Sequence, residues 1–274
     1  GDNSSCSGCT DPYATNYDET ANVDDGSCTY PDNGDYSLSF DGVDDYVEFQ
    51  SNIIPTTGEF TVEIQVLGYN VDGYREIISD GGQSSDPFFI GYQPDDMIRT
   101  NAWTDIVDFP FDNWLNITVV KSNFNSFLFI NGEKISEKGS AINNPGTGYL
   151  QIGRQWTGEE WWSGKIKQIK ITNNVAYTDD YTAPNEFMND ANTIALYKFN
   201  AGEGNILYDH SGNGNHGTIN GAQWVCNDLD LCGVCGGDGS TCGSDSFVDG
   251  VPAKFVYNQS SDQAFYFIVS ATNL

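Results

Sequence analysis

The chain has 274 residues and a formal net charge of −28, because 39 acidic residues face only 11 Lys and Arg. Such a chain repels a phosphate backbone and has no basic stripe to displace its counterions, which argues against nucleic acid as a partner. No apolar run is long enough to span a bilayer as a helix, which argues against membrane insertion. Dense carboxylates with few cations suit a calcium-rich or salty exterior, where mobile ions screen self-repulsion. Alternatively, the acidity only secures solubility.

Four segments follow in chain order. Residues 1–34 are rich in Asp, Asn and Gly and hold Cys6, Cys9 and Cys28. With few apolar residues to build a core, this segment is expected to be stapled by a disulfide, Cys9 to Cys28. Cys6 is left over, and its expected partner lies upstream of the chain's start. Residues 35–225 carry no cysteine and read as all-β. Short alternating or apolar runs recur between Gly, Asn and Asp turns at 36–40, 46–49, 60–66, 88–92, 115–120, 127–130, 149–152, 166–171 and 194–199. In the run FTVEIQV, Phe60, Val62, Ile64 and Val66 share one face, and Thr61, Glu63 and Gln65 the other. In GKIKQIKIT the alternation slips, since Ile166 falls on the face of Gln168 and Lys170; a bulge is expected there. Asn131-Gly132 signals a two-residue hairpin, because both residues tolerate positive φ. So many strands imply a two-sheet sandwich, because one flat sheet would leave an apolar face wet.

Residues 226–243 form a Gly/Cys/Asp connector with Cys226, Cys232, Cys235 and Cys242, expected as two disulfides of open connectivity. Zinc is the rival for Cys232-x-x-Cys235, but the only histidines, His210 and His216, belong to another motif. Residues 244–274 read as a hairpin, 253–257 with 264–269, opening a further domain. The ends also match: GDNSSC at 1–6 and GDGSTC at 237–242, the latter within CGVCGGDGSTC. The chain is therefore expected to be one period of a longer repetitive extracellular polypeptide. Sequons stand at Asn3, Asn116 and Asn258.

The blocks SLSFDGVDDYVEF, FTVEIQV, WLNITVVKSNFNSFLFINGEKI, LQIGRQW, WWSGKIKQIKITNNVAYTDDYTAP and IALYKFNAGEGNILYDHSGNGNHGTINGAQW appear in that order. Together they resemble the laminin-G-like, concanavalin-A-like jelly-roll family over nearly all of 36–225. The flanks GCTDPYATNYDETANVDDGSC and CGVCGGDGSTC resemble short Cys-rich repeats of secreted marine bacterial or viral surface proteins. The resemblance implies an antiparallel two-sheet jelly-roll sandwich. It also implies roles in carbohydrate binding, adhesion and calcium-stabilised display.

The residues themselves suggest where such roles would sit. Asp41, Asp44 and Asp45 crowd one turn and repel one another unless a cation or donors intervene; calcium suits them as a hard, oxygen-seeking ion. Asp209 and Asn213, in a Gly-rich loop, are expected to share that ion, since the family brings the first and last strands together. The alternative is that these Asp and Asn residues cap tight turns. Sugar rings stack on flat aromatic faces, so GRQWTGEEWW nominates Trp156, Trp161, Arg154 and Glu159 as ligand contacts. Trp162, Trp114 and Trp224 are expected in the core, and His210 and His216 as loop-packing residues.

The paired carboxylates of glycoside cleavage are not visible: Glu159 and Glu160 are adjacent, and Glu63 stands alone on its strand. The sequence therefore reads as a non-enzymatic, secreted or surface binding and adhesion module, calcium-stabilised and glycan-binding. Its partners would be a glycan or surface protein and neighbouring copies of the same polypeptide. The alternatives are a structural subunit of a surface filament or viral fibre, and a binding domain attached to a glycan-degrading enzyme.

Overall fold

The computed structural model describes residues 6–81, 87–103, 107–139, 142–145, 148–230 and 232–239, with backbone alone at 247–248 and 251–252. Cys242, the sequons at Asn3 and Asn258 and the expected 253–269 hairpin lie outside the described residues. The strands are β1 (Ser7–Gly8), β2 (Val23–Asp24), β3 (Tyr36–Asp41), β4 (Tyr46–Glu48), β5 (Phe60–Gly68), β6 (Arg75–Asp80), β7 (Phe88–Tyr92), β8 (Ile98–Thr100), β9 (Leu115–Lys121) and β10 (Asn125–Ile130). They continue with β11 (Glu133–Gly139), β12 (Gln151–Ile152), β13 (Ser163–Thr172), β14 (Thr193–Tyr197), β15 (Ile206–Leu207), β16 (Gly217–Asn220), β17 (Gln223–Cys226), β18 (Phe247–Val248) and β19 (Val251–Pro252).

Two antiparallel sheets form the sandwich. One has eight strands in the order β11-β10-β9-β5-β13-β3-β17, with β14 also on β13; the other has seven, β15-β16-β4-β12-β6-β7-β8. The period-two alternation explains why they face each other. Across the seven-stranded sheet, Ile219, Val47, Ile152, Ile78 and Ile90 stand in register and point inward. Across the other, Leu128, Val119, Val62, Ile171 and Ala195 do the same. Each buried Val, Leu or Ile contributes roughly 1.5–3 kcal/mol, so these rows hold the layers together. The bulge expected in β13 is present, between Ile166 and Gln168. It returns Ile169 and Ile171 to the core. Asn131 and Gly132 join β10 to β11 with φ of 50° and 84°, as their turn chemistry requires.

The outer faces of the two sheets differ. Residues 173–192 cross the eight-stranded sheet and are fastened to its outward side chains. Thr61 Oγ1 donates to Asn174 O, Tyr177 Oη to Glu63, Gln65 Nε2 to Pro184 O and Gln168 Nε2 to Asn185 O. Tyr177 and Tyr181 stack at 3.6 Å over a second apolar cluster of Val120, Phe127 and Phe129. Glu63 is thereby buried, and burial raises its pKa. The seven-stranded sheet has no such strap among the described residues.

The flanks dock on the sandwich. Cys9 and Cys28 are bonded, as are Cys226 and Cys235; Cys232 is also in a disulfide, and Cys6 is free and exposed. The Cys9–Cys28 bridge closes the loop that carries Asp11 and leads directly into Tyr30, whose hydroxyl donates to Asp11 at 2.6 Å. His216 Nδ1 accepts from the Asp209 amide, so Nε2 carries the proton and donates to Asp11 at 2.6 Å. Tyr30 also stacks on Tyr208 and meets His210 and His216 edge-on. Both histidines are thus packing residues, and burial pushes His210 down to about 4. At the other flank, β17 pairs with β3, and Asn227 N donates to Asp35 O.

Two expectations need correction, and the structure also bears on one sequon. Trp114 is 40% exposed, with the Lys167 ammonium over its ring, because it precedes β9 instead of lying in it. Trp224 is only partly buried against the core, being on the edge strand β17, whereas Trp162 is fully buried. The sequon at Asn116 lies within β9 with its amide nitrogen buried, so a glycan there would not fit the folded sheet.

Removing Tyr30 (Tyr30→Ala) should free the 9–28 loop to limited proteolysis while the sandwich still melts cooperatively. A second test concerns Asp80, two residues beyond Ile78 on the inward face of β6, with both carboxylate oxygens buried and unpartnered. Burial raises its pKa from 3.8 to about 7. The folded state then holds a proton that the unfolded state releases, so stability falls as pH rises from about 4 to about 7. Asp80→Asn should remove that fall, stabilising the protein by up to roughly 4 kcal/mol at pH 8 and little at pH 4, read from denaturant titrations.

Candidate functional site

With one sheet strapped, the open outward surface of the seven-stranded sheet is where chemistry collects. Register explains the collection. Tyr46 on β4, Glu76 on β6 and Arg99 on β8 all project outward, and Gly91 of β7 lies between Glu76 and Arg99 in the ladder. Because Gly91 carries no side chain, the Arg99 guanidinium crosses it. Nη2 then donates to Glu76 Oε1 at 2.9 Å and also to Glu160. The same guanidinium lies between the rings of Tyr74 and Phe89, at 4.6 and 4.7 Å.

The 153–162 loop supplies the rest. Gly158 and Glu160 take positive φ, 83° and 51°, and the loop closes through Gln155 N to Glu159 O. That turn aims Glu160 inward at Arg99 and leaves Glu159 exposed. Arg154 sits 3.4 Å from the Tyr46 ring centroid and 5.4 Å from that of Trp161. Its Nε and Nη2 both donate to Gln151 Oε1, at 3.0 and 2.9 Å. Arg75 donates to Gly42 O and Trp161 O, tying the loop to the turn after β3. Trp156 is half-buried and packs over Gly81. Burial, with the Glu160 charge second, raises the pKa of Glu76. Glu76 therefore favours its protonated form.

The turn tied by Arg75 holds Asp41, Asp44 and Asp45, and one carboxylate oxygen from each lies within 4.8 Å of the other two. Asp45 Oδ2 accepts from Asp41 N, and Asp41 Oδ1 from Val43 N and Asp44 N. Burial, then the charges of Asp41 and Asp44, raise the pKa of Asp45. Both Asp44 oxygens and one each of Asp41 and Asp45 remain beyond those bonds, so the donor set fits a hard cation. Asp209 and Asn213 are placed elsewhere. Asp209 is fully buried and accepts from the amides of Leu196, Ser211 and Asn215, and Asn213 donates to Thr193 O and Ile194 O. They cap their own loop, so the expected two-loop ion site is not what the structure assembles.

A family profile described as the Concanavalin A-like lectin/glucanases superfamily matches residues 41–181, more than half of the chain. The chain belongs to that superfamily. No curated protein matches it. Among solved structures, a "putative carbohydrate binding protein" from Bacteroides ovatus is similar at 16% identity and a TM-score of 0.55, over 72% of this chain and 61% of that one. The chain thus spans about three-fifths of that protein's length, and the likeness shows a shared fold. Two others are similar at lower scores. A heptameric SAP-like pentraxin from Limulus polyphemus has a TM-score of 0.43 and 16% identity, covering 53% of this chain and 79% of that one. Domain 4 of an extracellular arabinanase from Geobacillus stearothermophilus, in complex with arabinotriose, has 0.40 and 13%, covering 51% and 71%.

For this concanavalin A-like domain, the sequence nominated Trp156, Trp161, Arg154 and Glu159. The structure brings Trp161 and Arg154 together, keeps Trp156 beside them in the same loop, and leaves Glu159 at the exposed tip. Tyr46, Tyr74, Phe89, Glu76 and Arg99 were missed. Their signal was available in the scarcity of arginine: the chain has three, Arg75, Arg99 and Arg154, and all three serve this surface.

If a cation completes the Asp41–Asp45 turn, chelation should lower the melting temperature and calcium should restore it. Asp44→Asn, which removes an exposed charge, should abolish that calcium response while changing the calcium-free melting point little. Differential scanning calorimetry reads both.

Proposed function

We propose that this domain is a non-enzymatic glycan-binding module of an extracellular or surface protein, steadied by calcium at the Asp41–Asp45 turn. The observation that carries the reading is the asymmetry of the sandwich. One outer face is sealed by the 173–192 strap, and the other presents Tyr46, Arg154 and Trp161 as a rigid aromatic and polar platform. Flat rings take the apolar faces of sugars, while fixed guanidinium and amide groups read hydroxyls. Superfamily membership is in keeping with this. The disulfides suit an oxidising, extracellular compartment.

A binding role is favoured over catalysis by the state of the carboxylates. Glu76 and Glu160 converge, but on one nitrogen of Arg99, and the Glu76 side chain is fully sealed from solvent. Glycoside cleavage needs two carboxyl groups that reach the substrate, about 5 Å or more apart. Here the pair anchors the loop.

Glycan-array screening of the whole chain with calcium, followed by calorimetry of any hit, tests the proposal. Trp161→Ala should weaken binding at least about tenfold without lowering the melting temperature of the domain. A blank array, or a hit indifferent to Trp161, would count against it.

A further inference from the structure

The three arginines of this cation-poor chain all converge on the 153–162 loop, and they are not equivalent. Arg99 is neutralised by two carboxylates, Glu76 and Glu160. Arg75 spends its terminal nitrogens on three backbone carbonyls, Gly42, Trp161 and Asp72. Arg154 is held only by a neutral amide oxygen of Gln151 and by the rings of Tyr46 and Trp161. Among the described residues no carboxylate forms an ion pair with it. Arg75 makes no ion pair either, but its terminal nitrogens are filled by backbone carbonyls, whereas only one edge of the Arg154 guanidinium is filled. Glu48 faces Gln151 across the ladder and makes no ion pair with Arg154.

Fixing a guanidinium this way has a chemical consequence. Stacking on Tyr46 sets its plane, and Gln151 occupies the Nε/Nη2 edge. Among the described residues, Nη1 and the second hydrogen of Nη2 have no hydrogen-bond partner, on a half-buried side chain. A planar, fully charged, pre-ordered donor edge matches a carboxylate or sulfate, and less of its rotamer freedom remains to be lost on binding. The chain's overall negative charge opposes an anionic ligand only at long range. At physiological salt the screening length is about 8 Å, so a contact at hydrogen-bond distance is governed by the local guanidinium.

Resting on the glycan-binding reading, we infer that Arg154 selects glycans bearing an oxyanion, a uronate carboxylate or a sulfate ester, whose sugar ring lies on the Trp161 side of the platform. Calorimetry on the full chain compares three probes: a uronic-acid oligosaccharide, the same oligosaccharide with its carboxyls reduced to alcohols, and a neutral oligosaccharide carrying sulfate esters. The wild type should bind the uronate or the sulfated sugar at least about tenfold tighter than the reduced one, and the tighter of the two names the source of the charge. Arg154→Gln should erase that preference, bringing the charged sugar down to whatever affinity the same variant shows for the reduced sugar, and Arg154→Lys should restore it only in part. Equal binding of the reduced sugar, or a preference that survives Arg154→Gln, overturns the inference and leaves glycan binding standing. Binding of none of the three overturns both.

Discussion

Everything in this domain follows from the two-sidedness of a β-strand in an antiparallel sandwich. The inward rows of Ile, Val, Leu and Phe must meet each other, so each sheet keeps one outward face to be covered or used. In the eight-stranded sheet the outward row reads Phe129, Thr118, Glu63 and Lys170, a mixture that water would tolerate poorly at Phe129 and Glu63. The 173–192 strap resolves this by laying Tyr177 and Tyr181 over Phe129, with hydrogen bonds to Glu63 and Thr118. Among the described residues, the other face carries no such strap.

The free face is ordered from beneath. A bulge at Glu76–Ile78 and the bare Gly91 let Arg99 reach across a strand, and Arg99 in turn captures Glu160 from the loop above. Arg75 ties the same loop to the Asp41–Asp45 turn. Buried carboxylates are expensive, and Glu76 is tolerated because the Arg99 guanidinium faces it and burial favours its neutral form. The same arrangement fixes the height and tilt of Trp161. The acidic turn, the aromatic platform and the ion-pair anchor are therefore linked through Arg75 and Arg99.

The flanks obey a different rule. They have little apolar surface, so short covalent loops hold them, and they dock through a few directional contacts. His216 illustrates how a loop residue becomes a clasp. The Asp209 amide sets its tautomer, which presents an N–H to Asp11 of the Cys9–Cys28 loop. A sequence pattern names His216 as a turn residue, but its partner 205 residues away in the chain is a matter of folding.

Much was legible from local order. Strict alternation in FTVEIQV settled which side of β5 is core, the slip in GKIKQIKIT marked a real bulge, and Asn131-Gly132 marked a real hairpin, because period and turn chemistry are written within a few residues. Strands β6 and β8 were missed, since two consecutive buried isoleucines and a three-residue run give no clean period. The sequence by itself determined the all-β class, the sandwich, the Cys9–Cys28 staple and the acid-rich turn, all of which depend on near neighbours. Only the tertiary structure decided which face is covered, that Asp209 caps its own loop, and that Tyr46, Arg99 and Glu160 meet around Arg154 and Trp161. Those contacts join residues far apart in the chain, and register across strands, not spacing along them, brings them together.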